Sequence, residues 1–264
     1  MSLQELVARF GEQRVVSFML VLARVGPLFI FAPVFSSKLL PPRARTIIAL
    51  ALALGVLPAA LSGRHSGPVP TDPFGLGGLM LKELMVGVAF AFALGALFAA
   101  ITMAGSLLDT LIGYAYGAAV DPLTGVQGTV ISQIYGLVSV LVFIAIGGDA
   151  WVIKGLARTY DLVPLLDGPR IGTLVEGVQI AFSGLFTAAL QVAAPVLLAL
   201  VITDAAFGVV SRVVPQLNVF AVGFPAKVTV GLILIGVSLP FMAGWLANEL
   251  QSSVAAALRA LKVG

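Results

Sequence analysis

The chain has 264 residues, 59% of them hydrophobic and only 10% charged, with a formal net charge of +3. A soluble domain carries about 25% charged residues, so this composition and a mean hydropathy of +1.09 exclude an ordinary soluble protein and point to a polytopic membrane protein. The absence of cysteine rules out disulfides, iron–sulfur clusters and thiol chemistry, and the scattered basic residues form no nucleic-acid-binding patch.

The opening Met-Ser-Leu-Gln-Glu, with Glu5 and Glu12, carries no small-residue cleavage site, so the first apolar segment is expected to act as its own insertion signal. Crossing a bilayer takes about 20 apolar residues. Candidate spans in chain order are 15–35, interrupted by Arg24; 46–61; 83–108, free of charge after Glu83; 130–147; 184–203, with Gln191 and Pro195; and 228–247, with Pro240. Runs of Leu, Ala, Val and Ile without alternation predict helix in all of them, hence an all-α fold of broken helices and hairpins. Gly, Pro and Ser in 62–73 predict an exposed loop. Residues 148–176 predict a short helix, a turn at Leu166-Asp-Gly-Pro169 and the start of another helix. Residues 245–263 form an amphipathic helix, with Leu246, Leu250, Val254, Leu258 and Leu261 on one stripe. That stripe is expected to meet the membrane interface or a partner.

Two segments do not suit simple spans. In 111–122, Leu111-Ile-Gly-Tyr-Ala-Tyr-Gly-Ala-Ala-Val-Asp-Pro122, an apolar run is broken by Gly113 and Gly117. Its composition fits a half-inserted or cavity-lining loop, or an interfacial connection. In 215–227, two prolines, Gln216, Asn218 and Lys227 stand between long apolar segments. Each proline removes a backbone donor, and irregular backbone persists at membrane depth only beside protein or water.

Few residues could carry catalysis or bind a metal. His65 is a lone loop histidine, no Cys/His cluster exists, and no phosphate loop ends in Gly-Lys-Ser/Thr. No enzyme, metal or cofactor is therefore expected. Asp109, Asp121 and Asp204 lie in or beside apolar stretches; they are either parts of a proton relay or markers of helix ends and turns. Arg24 would cost roughly 3 kcal/mol at the bilayer centre, so it is expected to face a partner subunit or an aqueous lumen, or else to snorkel from a span end. The glycines at 87, 95, 105, 113, 117 and 136 permit close helix approach, within the chain or between chains.

Four stretches taken together resemble the export-gate family of type III secretion, the flagellar FliR type and its injectisome counterparts. They are Ala23-Arg-Val-Gly-Pro-Leu-Phe-Ile-Phe-Ala-Pro-Val-Phe35 followed by Leu40-Pro-Pro-Arg-Ala-Arg45; Lys82-Glu-Leu-Met-Val-Gly87; 113–122; and Arg212-Val-Val-Pro-Gln-Leu-Asn-Val-Phe220 with Gly223-Phe-Pro-Ala-Lys227. The resemblance covers nearly the whole chain in order, and its last motif is the most specific.

The resemblance implies one export-gate domain over 1–264, with a FliP-like part in 1–170 and a FliQ-like helical hairpin in 180–264. It implies FliP-type and FliQ-type partners, other flagellar export proteins, unfolded protein substrates, and a place in the inner membrane at the flagellar basal body. In the assembled gate, several apolar segments would bury against protein instead of lipid. Gly113, Tyr114, Gly117, Ala118, Asp121 and Pro122 would fall in a pore plug. Pro215, Gln216, Leu217, Asn218, Val219, Phe220, Gly223, Pro225 and Lys227 would form a cytoplasm-facing hairpin turn that contacts neighbouring subunits. Its two prolines would stiffen that turn. The alternatives are an injectisome gate subunit and a secondary transporter for a small solute, which broken helices would also suit; no internal repeat supports the transporter.

Overall fold

The computed structural model describes residues 3–36, 41–62, 72–113, 130–216 and 218–261. Among these the regular elements are all helices: α1 (Leu3–Val25), α2 (Leu28–Phe31), α3 (Pro33–Ser36), α4 (Pro42–Ser62), α5 (Pro73–Ile112), α6 (Val130–Ala145), α7 (Gly148–Leu162), α8 (Ile171–Val213) and α9 (Val219–Leu261). The all-α, polytopic expectation holds. Among the described residues, five helical stretches are long and apolar enough to cross a membrane, or six if the bent pair α6 and α7 counts as one span.

The helix ends follow local chemistry. The Asp72 carboxylate accepts the Gly75 amide at 2.7 Å. It thereby caps α5, with Pro73 in the first helical position where its missing donor costs nothing. No strong breaker follows, and α5 runs for 40 residues, ~60 Å at 1.5 Å per residue. The span expected at 83–108 is therefore only the middle of a longer helix. Both α8 and α9 reach 43 residues, tolerating Pro195 in α8 and Pro225 and Pro240 in α9. The helix at the span expected over 130–147 is shorter than the other spanning helices. Helix α6 has 16 residues and stops before Gly147, whose φ of +67° no helix accepts. The short helix, turn and new helix expected in 148–176 are all present.

The chain divides into two compact units: residues 1–96, 147–183 and 250–264, and residues 97–146 and 184–249. In the first, α1 buries Ser17, Leu20, Val21, Arg24 and Val25, one helical stripe, and packs on α4. Helix α7 buries Val152, Gly155, Leu156, Thr159 and Tyr160 on a matching stripe. Gly155 lies where a Cβ would come within 2.8 Å of Val254 and 2.9 Å of Phe90.

In the second unit, α6 buries every fourth residue, Ile131, Tyr135, Ser139 and Phe143, and Phe143 meets Phe98 edge-on at 5.5 Å. The buried stripe of α8 is Ala189, Val192, Ala193, Val196 and Leu200. The inward face of α9 there carries Ile235, Ser238 and Met242, with a contact of 3.4 Å between the Ser238 and Tyr135 hydroxyls.

One expectation is corrected. The first three residues of the C-terminal stripe are buried without an interface or a partner, while Leu258 is half-buried. Leu246 and Leu250 are fully buried and Val254 nearly so within the chain itself. The stripe is amphipathic because α9 continues the inward face begun by Ile235, Ser238 and Met242.

Candidate functional site

The first two motifs meet in space. Arg24 stands in the last turn of α1, just before Gly26 and Pro27 end the helix. Its side chain is completely buried. Nε pairs with Glu83 Oε2 of α5 at 2.6 Å. Nη1 donates to Thr159 Oγ1 at 3.1 Å, and Nη2 donates to the Val163 carbonyl at 3.0 Å. The guanidinium also lies over the Tyr160 ring, 4.0 Å from its centroid. Glu83 is itself 2% exposed, and the Leu166 amide lies close to its carboxylate.

A buried charge is tolerable only when it is paired and its donors are satisfied, and the planar fork of arginine suits three partners at once. Gly87, one turn beyond Glu83, makes the approach possible. A Cβ there would collide with the Arg24 carbonyl. The expectation that Arg24 faces a partner, a lumen or a span end is therefore corrected. Its charge is neutralised inside the chain, because Glu83 comes within hydrogen-bond range and Gly87 leaves the room.

The second locus is the corner between α5 and α6. Helix α5 stops at Gly113, whose φ of +105° is left-handed backbone, and the Gly113 amide closes on the Asp109 carbonyl at 3.0 Å. The buried Asp109 carboxylate accepts the amides of Ile131 at 3.1 Å and Ser132 at 2.9 Å. Asp109 is thus a cap on the start of α6, where a helix presents unsatisfied donors and positive dipole. Gly105 brings the two backbones together, since a Cβ there would sit 2.6 Å from Ser132 Cα. The Ser132 hydroxyl donates to the Thr102 carbonyl at 3.1 Å. Of the residues expected in a plug, Gly113 is placed at this corner. Tyr114, Gly117, Ala118, Asp121 and Pro122 lie outside the described residues.

The third locus is the turn between α8 and α9. The turn itself holds Pro215 and Gln216, while Leu217 lies outside the described residues. Asn218 caps α9: its Oδ1 accepts the Ala221 amide at 3.1 Å. Val219 and Phe220 already belong to α9, as do Gly223, Pro225 and Lys227. The expectation that both prolines stiffen the turn is corrected. Pro215 sits in the turn, while Pro225 occupies the second turn of α9 because the Asn218 cap starts that helix early. Lys227 pairs with Asp204 of α8 at 2.7 Å, the two side chains 18% and 50% exposed. Around the turn Val213, Val214, Val222 and Phe224 are exposed.

The comparisons with known proteins now decide the family. The model of the bacterial export proteins, family 1, matches residues 15–253. The chain belongs to this family. The Escherichia coli (strain K12) protein named flagellar biosynthetic protein FliR is 28% identical over 222 residues, 84% of each chain. The FliR protein of Pectobacterium carotovorum is 30% identical over 83% of this chain and 82% of its own. The surface presentation of antigens protein SpaR of Shigella flexneri is 26% identical over 81% of this chain and 82% of its own.

All three loci of this export-family chain lie inside the matched residues. Sequence reasoning named Arg24 and missed its partners. A buried arginine needs an acid, and Glu83 was the acid at the head of the next charge-free segment. Thr159 and Tyr160 gave no comparable signal. They lie far along the chain, and only the helical period of α7 turns both inward.

Proposed function

We propose that the chain is the FliR-type subunit of the flagellar type III protein export gate, and that it forms part of the pore through which unfolded flagellar subunits leave the cytoplasm. The observation that carries this reading is the family match along 15–253, which runs from Arg24 through the corner at Gly113 to the hairpin turn. The FliR-named relatives support the flagellar system. The SpaR-named relatives are the support for an injectisome gate, and they match at similar but not greater identity.

The finer reading is as follows. The subunit resides in the bacterial inner membrane at the basal body, together with FliP-type and FliQ-type subunits. Residues 1–170 act as the FliP-like part, and 180–264 act as the FliQ-like hairpin. The segment 113–122 is the plug. Its described end supports this: Gly113 turns the backbone left-handed, and Asp109 ties the end of α5 to the start of α6. The residues of the hairpin turn contact neighbouring subunits. The exposed valines and Phe224 around it are apolar surface that another protein or lipid must cover. The role is structural, and the energy for export comes from other components.

Co-expression with the FliP-type and FliQ-type proteins of the same genome, pull-down in mild detergent and native mass spectrometry test this reading. A stable complex of all three chains is expected. A monodisperse chain that retains neither partner would transfer the weight to the solute transporter.

A further inference from the structure

The connection from α7 to α8, residues 163–170, holds a strained residue with a specific restraint. Leu166 has a φ of +86°, the one non-glycine residue in left-handed backbone among those described. A leucine keeps this conformation only where surrounding contacts over-determine it. Two of those contacts come from the buried ion pair. Arg24 Nη2 holds the Val163 carbonyl at 3.0 Å, and the Glu83 carboxylate lies close to the Leu166 amide. The carbonyl and the amide lie on either side of Pro164 and Leu165, so the pair grips the connection at two points. Around the grip, Val163 packs with Val86 of α5 and Leu174 of α8, and Met85, Ala89 and Leu162 close over them. The Asp167 amide then bonds the Pro164 carbonyl at 3.1 Å, which completes the turn.

We propose that Arg24 and Glu83 are positioning residues for this connection: their ion pair is a clasp that fixes residues 163–166, and with them the point where α8 begins. Stabilising the packing of α1 on α5 is a secondary effect, because Gly87 and the apolar stripes already bring those helices together. The clasp would operate whatever the chain assembles with, so it stands or falls apart from the export reading.

Hydrogen exchange on the full chain in detergent, resolved to single amides, tests it. In the unaltered protein the Leu166 amide should exchange at least about tenfold more slowly than that of exposed Gly168. Glu83→Gln keeps one acceptor oxygen but strands the Arg24 charge, so it should speed residues 163–168 by less than Glu83→Ala does. Glu83→Ala should speed the same amides about tenfold or more beyond whatever it does to the interior of α1. Equal loss of protection in α1, α5 and the connection would reduce the pair to a general core contact and overturn the proposal, as would no change in the connection. If neither variant accumulates, the unaltered protein still decides: equal rates at Leu166 and Gly168 refute the clasp.

Discussion

Each compact unit contains an ion pair between helices, and the two could hardly differ more. Arg24 and Glu83 are 0% and 2% exposed, and the Arg24 guanidinium also donates to Thr159 and to the Val163 carbonyl. Lys227 and Asp204 are 18% and 50% exposed and hold only each other among the contacts described. The two pairs are nearly equal in length, 2.6 Å against 2.7 Å. Distance therefore does not set the worth of an ion pair; the cost of leaving one partner alone does. An abandoned charge in the first unit has no water to turn to, and one in the second does.

The largest effect should come from breaking the first pair on one side. Arg24→Ala or Glu83→Ala strands a buried charge, and the loss should be about 3–5 kcal/mol. It would be read as a lower thermal midpoint in detergent and reduced accumulation in membranes. A loss below ~1 kcal/mol would mean that water reaches the pair and that the contrast with the hairpin is false.

Next comes Gly113→Val. A branched side chain in left-handed backbone costs about 1–3 kcal/mol. The strain falls at the corner where α5 ends, far in sequence from the Arg24 network. Motility should drop and ion leak should rise while the first unit keeps its stability. Normal swimming and unchanged leak would remove 113–122 from consideration as a plug.

Smaller again is Asn218→Leu. It deletes the cap on α9 at a cost of about 1 kcal/mol. It should reduce co-purification with partner subunits more than it reduces membrane insertion. Unaltered co-purification would leave Asn218 with a capping role alone. Lys227→Met, which removes the half-exposed pair, should cost only ~0.2–1 kcal/mol and should lessen further in high salt. A salt-independent loss as large as that of Arg24→Ala would erase the difference between the two pairs.

How much of this could be read from the residues alone differs between the same two regions. The helical character of nearly every described segment was legible, because charge-free Leu, Ala, Val and Ile runs in a chain this apolar allow little else. So was a turn in this stretch, although the structure closes it at 164–167, two residues before the expected 166–169. Helix ends were less legible. Pro225 marked a break to the eye, yet a proline within the first turns of a helix forfeits few bonds, and the Asn218 cap starts α9 seven residues earlier. Asp109 read equally as a relay or as a helix marker, and only the amides of Ile131 and Ser132, more than twenty positions on, decide it. Arg24 was conspicuous and still misread. Charge alone says that a partner is needed, and Gly87, which lets Glu83 be that partner, looks like any other small residue until the two backbones are seen in contact.

The smallest predicted effect probes the same cluster from its uncharged side. The Tyr160 ring supports the guanidinium at 4.0 Å, but its buried hydroxyl has no hydrogen-bond partner among the described residues. An unsatisfied buried hydroxyl destabilises, and replacing such a group by an apolar one of the same shape is close to neutral or favourable. Tyr160→Phe keeps the ring face that attracts the cation and discards the orphaned oxygen. Its thermal midpoint should equal or slightly exceed that of the unaltered protein. Tyr160→Leu, which loses the face, should fall below it. If Phe proves as costly as Leu, the hydroxyl has a partner that the static arrangement does not reveal, and Arg24 then owes its burial to Glu83, Thr159 and Val163 more than to the ring beneath it.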